Sequence, residues 1–482
     1  MTYDLLVIGG GINGTGIARD AAGRGLSTVL VERSDLASAT SSASSKLVHG
    51  GLRYLEQYEF RLVAEALAER EILLRIAGHL AWPVRFVMPH VPELRPRWMI
   101  RLGLFLYDHL ARRSLLPASQ SVRLDVPPYS SALQARLKHG FIYSDCRVDD
   151  ARLVLANAID ASRRGARILV RTECVAARRH GALWRASLSS GEEITARAVV
   201  NAAGPWVKQV LNERLAQPSR DGVRLVKGSH IVLPKLYEGG HAFILQNTDR
   251  RVVFMIPFED QFTLVGTTDV SVTEADGVQA SEDEVKYLCT AVSRYLNRRV
   301  DPAEVCWRFA GVRPLYDDGV SDPSAVTRDY TLRVDDVGGA APVVSVFGGK
   351  ITTYRRLAEQ VLAKLAPYFP ALKAPWTDTA ALPGSGFTNR AAARDALLER
   401  YRGVPEPIVR GIFRRHGSEA EAVLGDGRLG EDFGGGLTER EVRYFVEHEW
   451  AGCAADVLWR RSKCGLRMTE PQRRRVEQVI GR

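Results

Sequence analysis

The stretch "YDLLVIGGGINGTGIARDAAGRGLSTVLVE", residues 3–32, decides the fold. It begins with a short apolar run that is typical of a buried strand. A G-x-G-x-x-G turn follows at Gly9, Gly11 and Gly14, and a helix with small inward-facing residues is predicted after it. A second apolar run ends at Glu32. The order strand, glycine turn, helix, strand predicts an α/β fold that begins with a Rossmann-like unit.

This arrangement predicts a dinucleotide site. The first glycine permits the tight turn, the second lets a pyrophosphate approach the backbone, and the third lets helix and strand pack closely. The helix N-terminus supplies free N–H groups for the phosphates. Glu32 is placed to accept hydrogen bonds from a ribose diol, and its charge disfavours the 2′-phosphate of NADP. The motif alone does not distinguish FAD from NAD.

The next segment, "LASATSSASSKLVHGGLRYLEQYEF", residues 36–60, has the composition of a flexible linker. It starts only a few residues after Glu32, however, and its hydroxyls and amides suit a second wall for the pyrophosphate. We therefore predict that the ligand orders this segment. A helix is predicted after it, with Leu62, Ala66 and Leu67 facing inward.

Two later stretches favour FAD over NAD. "ARAVVNAAGPWV" reads as a strand that runs into a small-residue turn at Ala203 and Gly204, which lets a flavin nucleotide pass close by. "PVVSVFGGKITTYRRLAEQVLAKL" reads as a strand, a turn at Gly348 and Gly349, and a helix. A helix N-terminus stabilises the negative charge that reduced flavin gains. A P-loop is excluded there because Ile351 stands where Ser or Thr is required.

The amino-acid composition and the net charge limit which kinds of protein and of binding partner are plausible. The chain has 482 residues, 45% of them hydrophobic, and a formal net charge of +10, which favours an anionic partner such as nucleic acid, a phosphorylated substrate or anionic lipid. No nucleic-acid-binding motif is seen. The start shows no signal or transit peptide, so we expect a cytoplasmic protein. Six widely spaced cysteines without a C-x-x-C pair argue against a metal site, an iron–sulfur cluster or a disulfide scaffold.

The longer motifs are specific to one family. They include "SSASSKLVHGGLRYLEQYEFRLV", "YSDCRVDDARLVLANA", "KGSHIVLP", "GVRPL", "TRDYTL" and "SVFGGKITTYRRLAE". With the N-terminal glycine motif, they make the chain resemble the FAD-dependent glycerol-3-phosphate dehydrogenases of the aerobic, membrane-associated bacterial type. The resemblance covers nearly the whole chain. Amino-acid and sarcosine oxidases share the first motif but lack this combination.

The resemblance implies a Rossmann-like FAD-binding domain, an interleaved mixed-sheet substrate domain and an all-helical C-terminal cap domain. The expected boundaries are 1–80, 140–222 and 305–375 for the first, 81–139 and 223–304 for the second, and 385–482 for the third. "KAPWTDTAALPGSGFTNR" before the cap is predicted to be a linker. Six basic residues are predicted to lie on a solvated helix face, with lipid headgroups or nucleic acid as the alternative contacts. They are Arg460, Arg461, Lys463, Arg473, Arg474 and Arg475.

The resemblance also implies which residues hold FAD, without a covalent bond. These are Gly9, Gly11, Gly14, Glu32, Arg33, Thr40, Ser41, Ser45, Lys46, His49, Gly50, Gly51, Leu52, Val175, Ala203, Gly204, Gly348, Gly349, Lys350, Ile351 and Thr352.

The implied substrate pocket contains Arg53, Tyr54, His230, Arg313, Arg328, Lys350 and Thr352. Arg53 and Arg328 are predicted to bind the phosphate, because a guanidinium binds it bidentately. Arg313 and Lys350 are predicted to stabilise the developing C2 oxyanion. His230 is predicted to accept the hydroxyl proton, with His49 or Arg313 as the alternatives. The alternatives without a functional role are that Arg328 forms a surface ion pair and that His230 is a histidine of the hydrophobic core.

The segment "RPRWMIRLGLFLYDHLARRSLLP", residues 95–117, predicts a helix that is apolar over almost its whole surface. Such a helix is buried in the core or at a subunit interface, as in a homodimer, or lies in a membrane interface. The resemblance implies peripheral attachment to the inner face of the cytoplasmic membrane and ubiquinone or menaquinone as electron acceptor. The alternatives are molecular oxygen as acceptor and a flavoprotein scaffold without catalysis.

Overall fold

The computed structural model describes residues 2–92, 94–111, 115–219, 221–249, 251–317 and 329–481. The strands are β1 Thr2–Ile8, β2 Thr28–Val31, β3 Leu47–Val48, β4 Ala81–Pro89, β5 Gln120–Arg123, β6 His139–Val148, β7 Arg167–Leu169, β8 Cys174–His180, β9 Leu183–Leu188, β10 Glu193–Asn201, β11 Gly222–Pro234, β12 Ala242–Gln246, β13 Val252–Phe258, β14 Phe262–Gly266, β15 Val270–Val272, β16 Trp307–Asp317, β17 Thr331–Asp335, β18 Val343–Phe347, β19 Asp432–Gly434 and β20 Leu437–Thr438. The helices are α1 Ile12–Gly23, α2 Phe60–Ile76, α3 Arg97–His109, α4 Asp150–Arg163, α5 Val207–Gln209, α6 Glu282–Ser293, α7 Tyr354–Leu365, α8 Arg390–Arg400, α9 Glu406–His416, α10 Ala420–Leu424, α11 Glu439–Glu449 and α12 Glu470–Ile480.

The first sheet has the order β17-β18-β10-β1-β2-β7, with β8 and β9 extending from β10. Strands β18, β10, β1, β2 and β7 are parallel, and β17 is antiparallel to β18. The interior of this sheet is a run of fully buried Val and Leu, because helices and the β8–β9 hairpin cover its two faces. The predicted α/β class is confirmed, and the glycine turn lies at the carboxyl end of β1, where open α/β sheets bind ligands.

Helices α1, α4 and α7 cover one face of the first sheet. Ile17, Ala18 and Ala21 on α1 are completely buried, as are Leu357 and Val361 on α7. Small residues on α1 let these helices approach the sheet closely, and the predicted inward face of α1 is confirmed. The prediction for α2 is also confirmed, since its inward-facing residues are buried.

The second sheet is mixed and has the order β15-β11-β14-β13-β12-β4-β6-β3, with β16 paired to β11 and β5 to β6. Strands β13 and β14 form an antiparallel hairpin, joined by Glu259, Asp260 and Gln261. Helix α6 packs on one face of this sheet, and α2 and α3 pack on the other. Strands β6 and β16 lie in this sheet, although the predicted boundaries assign both to the FAD-binding domain.

The C-terminal unit is helical, as expected, and contains one element that the sequence did not predict, the hairpin β19–β20. Arg460, Arg461 and Lys463 do not lie on a solvated face, so the prediction is wrong for these three residues. Arg474 on α12 is exposed, as predicted, and Arg473 and Arg475 beside it are half-buried. Arg461 is fully buried, and its Nη2 lies 2.8 Å from Oδ1 of Asp35, which also pairs with Arg460. Lys463 pairs with Asp149. These basic side chains attach the unit to the first sheet.

The predicted linker before this unit is not a free connection. It has no regular element, but Leu382 and Thr377 within it are only 1% and 2% exposed. The Trp376 ring packs under the guanidinium groups of Arg19 and Arg164, whose carbons lie 4.8 and 4.0 Å from its centre. The segment is rich in Pro, Gly and Thr and forms no regular element, but it is packed against the rest of the protein.

Candidate active site

A cavity of about 890 Å³ is lined by both sheets and by the C-terminal unit. Its walls come from residues 8–9, 11–13, 31–34, 37–45, 51–54, 202–206, 309–315, 348–352 and 459–460. Segments that are distant in the sequence therefore meet around one elongated space. Its volume is within the range of cofactor and ligand sites.

The glycine turn forms one end of the cavity. Gly9 has a φ of +113°, which favours glycine, and Gly9 and Gly11 line the cavity. Gly14 lies behind them, where a Cβ would come within 1.9 Å of the Gly9 carbonyl oxygen, so only glycine fits. The Ile12 N–H at the start of α1 donates to Ser41 Oγ at 3.0 Å. The turn thus presents backbone and a hydroxyl to the cavity, which suits a pyrophosphate.

Glu32 lies at the end of β2 and also lines the cavity. Its two carboxylate oxygens accept the N–H groups of Gly10 and Ser34, at 2.6 and 2.8 Å. Burial raises the pKa of Glu32, and these two backbone donors oppose that rise. The two bonds fix the carboxylate at the cavity wall.

A surface loop closes the cavity beside Glu32. Asp276, between β15 and α6, accepts the indole N–H of Trp206 at 2.9 Å and forms an ion pair with Arg33 at 2.8 Å. The Arg33 guanidinium lies 4.2 Å from the centre of the Trp206 ring. We call Arg33, Trp206 and Asp276 the clasp. It joins the two sheets across the mouth of the cavity, and the sequence did not predict it.

Ala203 and Gly204 line the cavity next to the clasp, and Gly204 has a φ of +56°. Val175, which was predicted to contact FAD, is 43% exposed and does not belong to the described lining. Glu173 and Cys174, before it in the chain, line the cavity instead. The correct segment was therefore predicted, but the irregular pairing at the start of β8 displaces the contact.

The serine-rich segment contacts the rest of the protein through several hydroxyls, and the prediction that a ligand orders it stays a prediction. Thr40 Oγ1 donates to the Val312 carbonyl at 2.6 Å. Ser44 Oγ donates to Asp150 at 2.8 Å, and Ser45 Oγ lies 2.9 Å from His230 Nε2. The segment is thereby a preformed wall of the cavity.

Lys46 anchors that wall from behind. It is 4% exposed, its ammonium pairs with Asp150 at 2.8 Å, and it also donates to the Ser42 carbonyl at 2.9 Å. Lys46 is not among the described residues that line the cavity. The predicted contact between Lys46 and FAD is therefore not seen, and its charge instead holds the serine-rich segment against α4.

The turn after β18 lies next to the glycine turn and also lines the cavity. Gly349 has a φ of +102°, and a Cβ there would lie 2.5 Å from the Asn13 amide nitrogen. That amide donates to the Gly348 carbonyl at 3.2 Å, which ties this turn to the start of α1. Ile351 and Thr352 follow along the cavity wall, and the Thr352 hydroxyl accepts weakly from the His49 N–H at 3.4 Å.

Lys350 places an unsatisfied cation in the cavity. Its ammonium nitrogen is buried and has no hydrogen-bond partner in the part of the chain that the structure describes. It lies 4.3 Å from the centre of the Tyr54 ring. Because a buried, unpaired ammonium is costly, this position is built for an anionic partner.

Arg313 on β16 lines the same region, with its guanidinium held on two sides. One nitrogen pairs with Asp269 at 2.7 Å, and the other donates to the Thr268 carbonyl at 2.8 Å. Gly228 makes room for it, since a Cβ there would lie 2.5 Å from the guanidinium. Arg313 is therefore fixed in position.

His230 on β11 lines the cavity, with its ring stacked on Phe309 at 5.0 Å and 13°. Burial, with Lys46 and Arg313 nearby, lowers the pKa of His230 to about 3. The imidazole is therefore neutral, but the expectation that its pKa suits proton transfer near neutrality is wrong for this arrangement. Nδ1 is buried without a hydrogen-bond partner in the described residues, so it is available to a ligand.

Of the remaining residues that were predicted to form the site, some line the cavity and others do not. Gly51, Leu52 and Arg53 line it, and Arg53 forms no ion pair with the described residues. Gly50 instead donates its N–H to the Tyr107 hydroxyl on α3 at 2.9 Å. Arg328 lies outside the described residues.

The sequence reasoning missed the aromatic side of the cavity. Trp307 stacks on Trp459 of the C-terminal unit with ring centres 4.9 Å apart, and Trp307 contacts Phe309 at 4.7 Å. All three line the cavity. No local pattern marks them, because Trp459 belongs to a distant part of the chain and reaches the cavity only through tertiary packing.

The residues present fit FAD. The glycine turn, Glu32 and the serine-rich wall accommodate phosphates and a ribose at one end of the cavity. Where the turn after β18 meets the glycine turn, the Lys350 ammonium and the Asn13 side-chain oxygen are buried without partners among the described residues. A cavity with these unpaired polar atoms beside a phosphate-binding turn suits a dinucleotide with a polar ring system.

Comparison with known proteins extends this result. Residues 4–355 match the family described as "FAD dependent oxidoreductase", and residues 375–481 match "C-terminal domain of alpha-glycerophosphate oxidase". The chain is 52% identical to a glycerol-3-phosphate dehydrogenase of Pseudomonas aeruginosa, covering 99% of this chain and 95% of that one. It is 50% identical to the aerobic glycerol-3-phosphate dehydrogenase of Escherichia coli, covering 99% and 97%.

Two further similarities are informative. The chain is 50% identical to a D-erythritol 1-phosphate dehydrogenase of Brucella abortus, over 98% of this chain and 96% of that one. Among solved structures, a glycerol-3-phosphate dehydrogenase from Bacillus halodurans complexed with FAD has a TM-score of 0.74 at 25% identity. That similarity covers 100% of this chain and 94% of the other.

Proposed function

The chain belongs to the glycerol-3-phosphate dehydrogenase family of FAD-dependent oxidoreductases, and from this premise we propose that it oxidises sn-glycerol 3-phosphate to dihydroxyacetone phosphate. FAD, when bound, supplies the hydride acceptor. The main support for this proposal is the Lys350 ammonium, which is buried without a hydrogen-bond partner among the described residues and lies close to the Tyr54 ring. A phosphorylated polyol is an anion that such a site binds.

The chain's own residues divide the work as follows. Arg53, which has no ion pair among the described residues, binds the phosphate with its guanidinium. Arg313 and Lys350 stabilise the negative charge that develops on the C2 oxygen when its proton leaves. Arg328, which lies outside the described residues, stays a predicted second phosphate ligand.

His230 is the proposed proton acceptor. Lys46 and Arg313 help to lower its pKa to about 3, so in the absence of other anions it is a weak base. A bound phosphate dianion offsets these positive charges and raises the pKa of His230 towards the range in which it accepts a proton. His49, which also lines the cavity, is the alternative acceptor.

Anaerobic stopped-flow spectroscopy tests the activity. We expect glycerol 3-phosphate to bleach the flavin absorbance of the purified holoenzyme within the mixing experiment. Failure of any small phosphorylated polyol to reduce the flavin would favour a scaffold without catalysis. Rapid formation of hydrogen peroxide in air would favour an oxidase over a dehydrogenase.

A second substrate, D-erythritol 1-phosphate, is a candidate because the Brucella relative that bears its name is 50% identical to this chain, the same identity as the Escherichia coli relative. Both substrates carry a phosphate and a secondary hydroxyl, so the cationic residues above suit either. The ratio of kcat/KM for the two compounds decides the assignment. We expect the ratio to favour glycerol 3-phosphate.

We propose that the electrons pass to membrane ubiquinone or menaquinone and that the protein is bound peripherally to the inner face of the cytoplasmic membrane. Among the described residues, no helix is both long and apolar enough to cross a bilayer. Helix α3, however, leaves Trp98, Leu102 and Phe105 at least half exposed. An apolar helix face next to basic residues suits an anionic lipid surface.

Vesicle binding tests this attachment. Trp98→Glu should reduce cosedimentation with vesicles of anionic phospholipid, whereas Val337→Glu, at an apolar residue that is 80% exposed elsewhere, should not. Equal binding of both variants would contradict a role for α3. A homodimer that uses the same face is the alternative, and sedimentation velocity without lipid would reveal it.

A further inference from the structure

Glu284 is a buried carboxylate on α6 that has no place in the proposed chemistry. It is 8% exposed, and it forms an ion pair with the Lys227 ammonium at 2.8 Å. It also accepts hydrogen bonds from the hydroxyls of Ser229 and Thr268, both at 2.8 Å, and from the Ser281 N–H at 2.9 Å. The Ser281 contact caps the helix. The other three contacts reach away from α6 into the second sheet.

These contacts fix the backbone next to His230 and in the loop that holds Arg313. Ser229 is buried on β11 directly before His230. Thr268 is buried in the loop between β14 and β15, and its hydroxyl also accepts the Ser229 N–H at 2.9 Å. One carboxylate therefore ties β11 to this loop through two hydroxyls.

The loop in turn holds Arg313. The Thr268 carbonyl accepts from its guanidinium at 2.8 Å, and the Asp269 carboxylate pairs with it at 2.7 Å. A shift of the loop moves both of these acceptors together. Gly228 gives the guanidinium the space to reach both acceptors, since a Cβ at this position would lie 2.5 Å from it.

We propose that Glu284 is a positioning residue that holds the loop 267–269, and through it the Arg313 guanidinium, in the orientation required for oxidation of the substrate. This inference rests on the proposed function. Glu284 does not line the cavity, so it acts through Thr268 and Ser229 and not on the substrate. An ionised carboxylate is needed, because it accepts from one ammonium and two hydroxyls at once.

Two substitutions break the link at different points. Glu284→Gln keeps the shape of the side chain but replaces one acceptor oxygen by a donor. Either the Ser229 and Thr268 hydroxyls, which share Oε1, or Lys227 and the Ser281 N–H, which share Oε2, then lose their partner. Thr268→Val replaces the hydroxyl by a methyl group, which also removes the acceptor of the Ser229 N–H, and leaves the ion pair between Glu284 and Lys227 in place. Glu282→Gln is the matched control, because this residue on the same helix is 69% exposed and pairs only with Arg308 among the described contacts.

The experiment measures flavin reduction by glycerol 3-phosphate in anaerobic stopped flow, with the bound-FAD absorbance of each holoenzyme as the check on folding. We expect Glu284→Gln and Thr268→Val to lower the limiting reduction rate by about tenfold while the half-saturating substrate concentration changes far less. The rate of Glu282→Gln should equal that of the wild type.

Coupling to Arg313 distinguishes positioning from general destabilisation. In an Arg313→Lys background, Glu284→Gln and Thr268→Val should each add less than about a twofold decrease, because the geometry that they protect is already lost. Unchanged rates in the single variants, or effects that multiply fully with Arg313→Lys, would overturn the inference. If glycerol 3-phosphate and D-erythritol 1-phosphate both fail to reduce the wild type, the proposed function itself fails.

Discussion

At the scale of single residues, the cavity is defined by charges that lack partners. Lys350 and Arg53 face it without ion pairs among the described residues, whereas Lys46 and Arg313 are held by Asp150 and Asp269. Lys350 and Arg53 are available to bind an anion. Lys46 holds the serine-rich wall from behind, whereas Arg313 lines the cavity in a fixed position, from which we propose that it stabilises the C2 oxyanion.

Lys350→Met should lower kcat/KM for glycerol 3-phosphate by about 100-fold, because the substitution removes a buried cation that faces the anionic substrate. Steady-state kinetics with an artificial electron acceptor measure this effect. Lys364→Met is the control, since this lysine is exposed on α7. A loss of similar size in both variants would show that Lys350 acts only through the overall charge.

The pKa of His230 makes stability depend on pH. Its folded pKa of about 3 lies below the ordinary value of 6.5, so the unfolded chain binds the proton more tightly. The stability from the neutral ring is present above pH 6.5 and is lost as the pH falls towards 3. At pH 5 the loss from this group is about 2 kcal/mol.

Urea unfolding at pH 7.5 and pH 5 measures this dependence. The free energy of unfolding of His230→Gln should fall by about 2 kcal/mol less than that of the wild type between these two pH values. His448→Gln, at an exposed histidine, should behave as the wild type does. An identical pH dependence of His230→Gln and wild type would contradict the prediction.

The sequence predicted most of this site at the level of residue identity. Gly9, Gly11 and Glu32 follow from local spacing, because a βαβ unit places them at one sheet edge whatever surrounds it. The low pKa of His230 was not predictable, since it depends on burial against Phe309 and on charges from distant segments. A sequence shows which residue types are present and how they are spaced, but it does not show the burial and the nearby charges that set the pKa of a side chain.

At the scale of elements, irregular segments carry as much of the site as helices and strands do. The serine-rich wall is fixed by hydrogen bonds to α4, β11 and β16. The packed connection after α7 is fixed by burial of Leu382 and Thr377. The amino-acid composition of both segments is that of a flexible linker. Composition indicates whether a segment forms regular structure by itself, but it does not show which parts of the protein the segment packs against.

The clasp is the element-scale feature that should control retention of FAD. Asp276→Asn removes the ion pair to Arg33 and weakens the bond to the Trp206 indole, so we expect the dissociation of FAD to be roughly fivefold faster. The rise in fluorescence of released flavin after dilution measures the rate. Glu274→Gln, in the same loop, is the control.

Because the clasp consists of partly exposed side chains, salt should affect it as well. Moderate salt should speed FAD release from the wild type and have little further effect on Asp276→Asn. An equal response of both proteins would show that the loop does not hold the cofactor in place.

At the scale of the whole molecule, buried ion pairs join the C-terminal unit to the rest of the chain. Asp35 is 4% exposed and pairs with Arg460 and Arg461, Arg152 pairs with Glu449, and Glu259 pairs with Arg414 at 2.5 Å. A buried pair adds little compared with apolar packing, but the removal of one partner is costly. The attachment is therefore specific to these partners.

Asp35→Asn should lower the free energy of unfolding by about 3 kcal/mol, because it leaves the buried Arg461 guanidinium without its anion. Thermal unfolding of the holoenzyme measures the change. Asp426→Asn, at an exposed aspartate in the C-terminal unit, should leave Tm unchanged. Affinity for FAD should fall with Asp35→Asn as well, since Arg460 lines the cavity.

The stacking of Trp459 on Trp307 has a consequence for biosynthesis. A ribosome makes the glycine turn long before Trp459, so a nascent polypeptide exposes an incomplete binding cleft until Trp459 has been made. Flavin captured before then would be held by one wall only. We therefore expect stable insertion of the prosthetic group only after Trp459 has packed on Trp307.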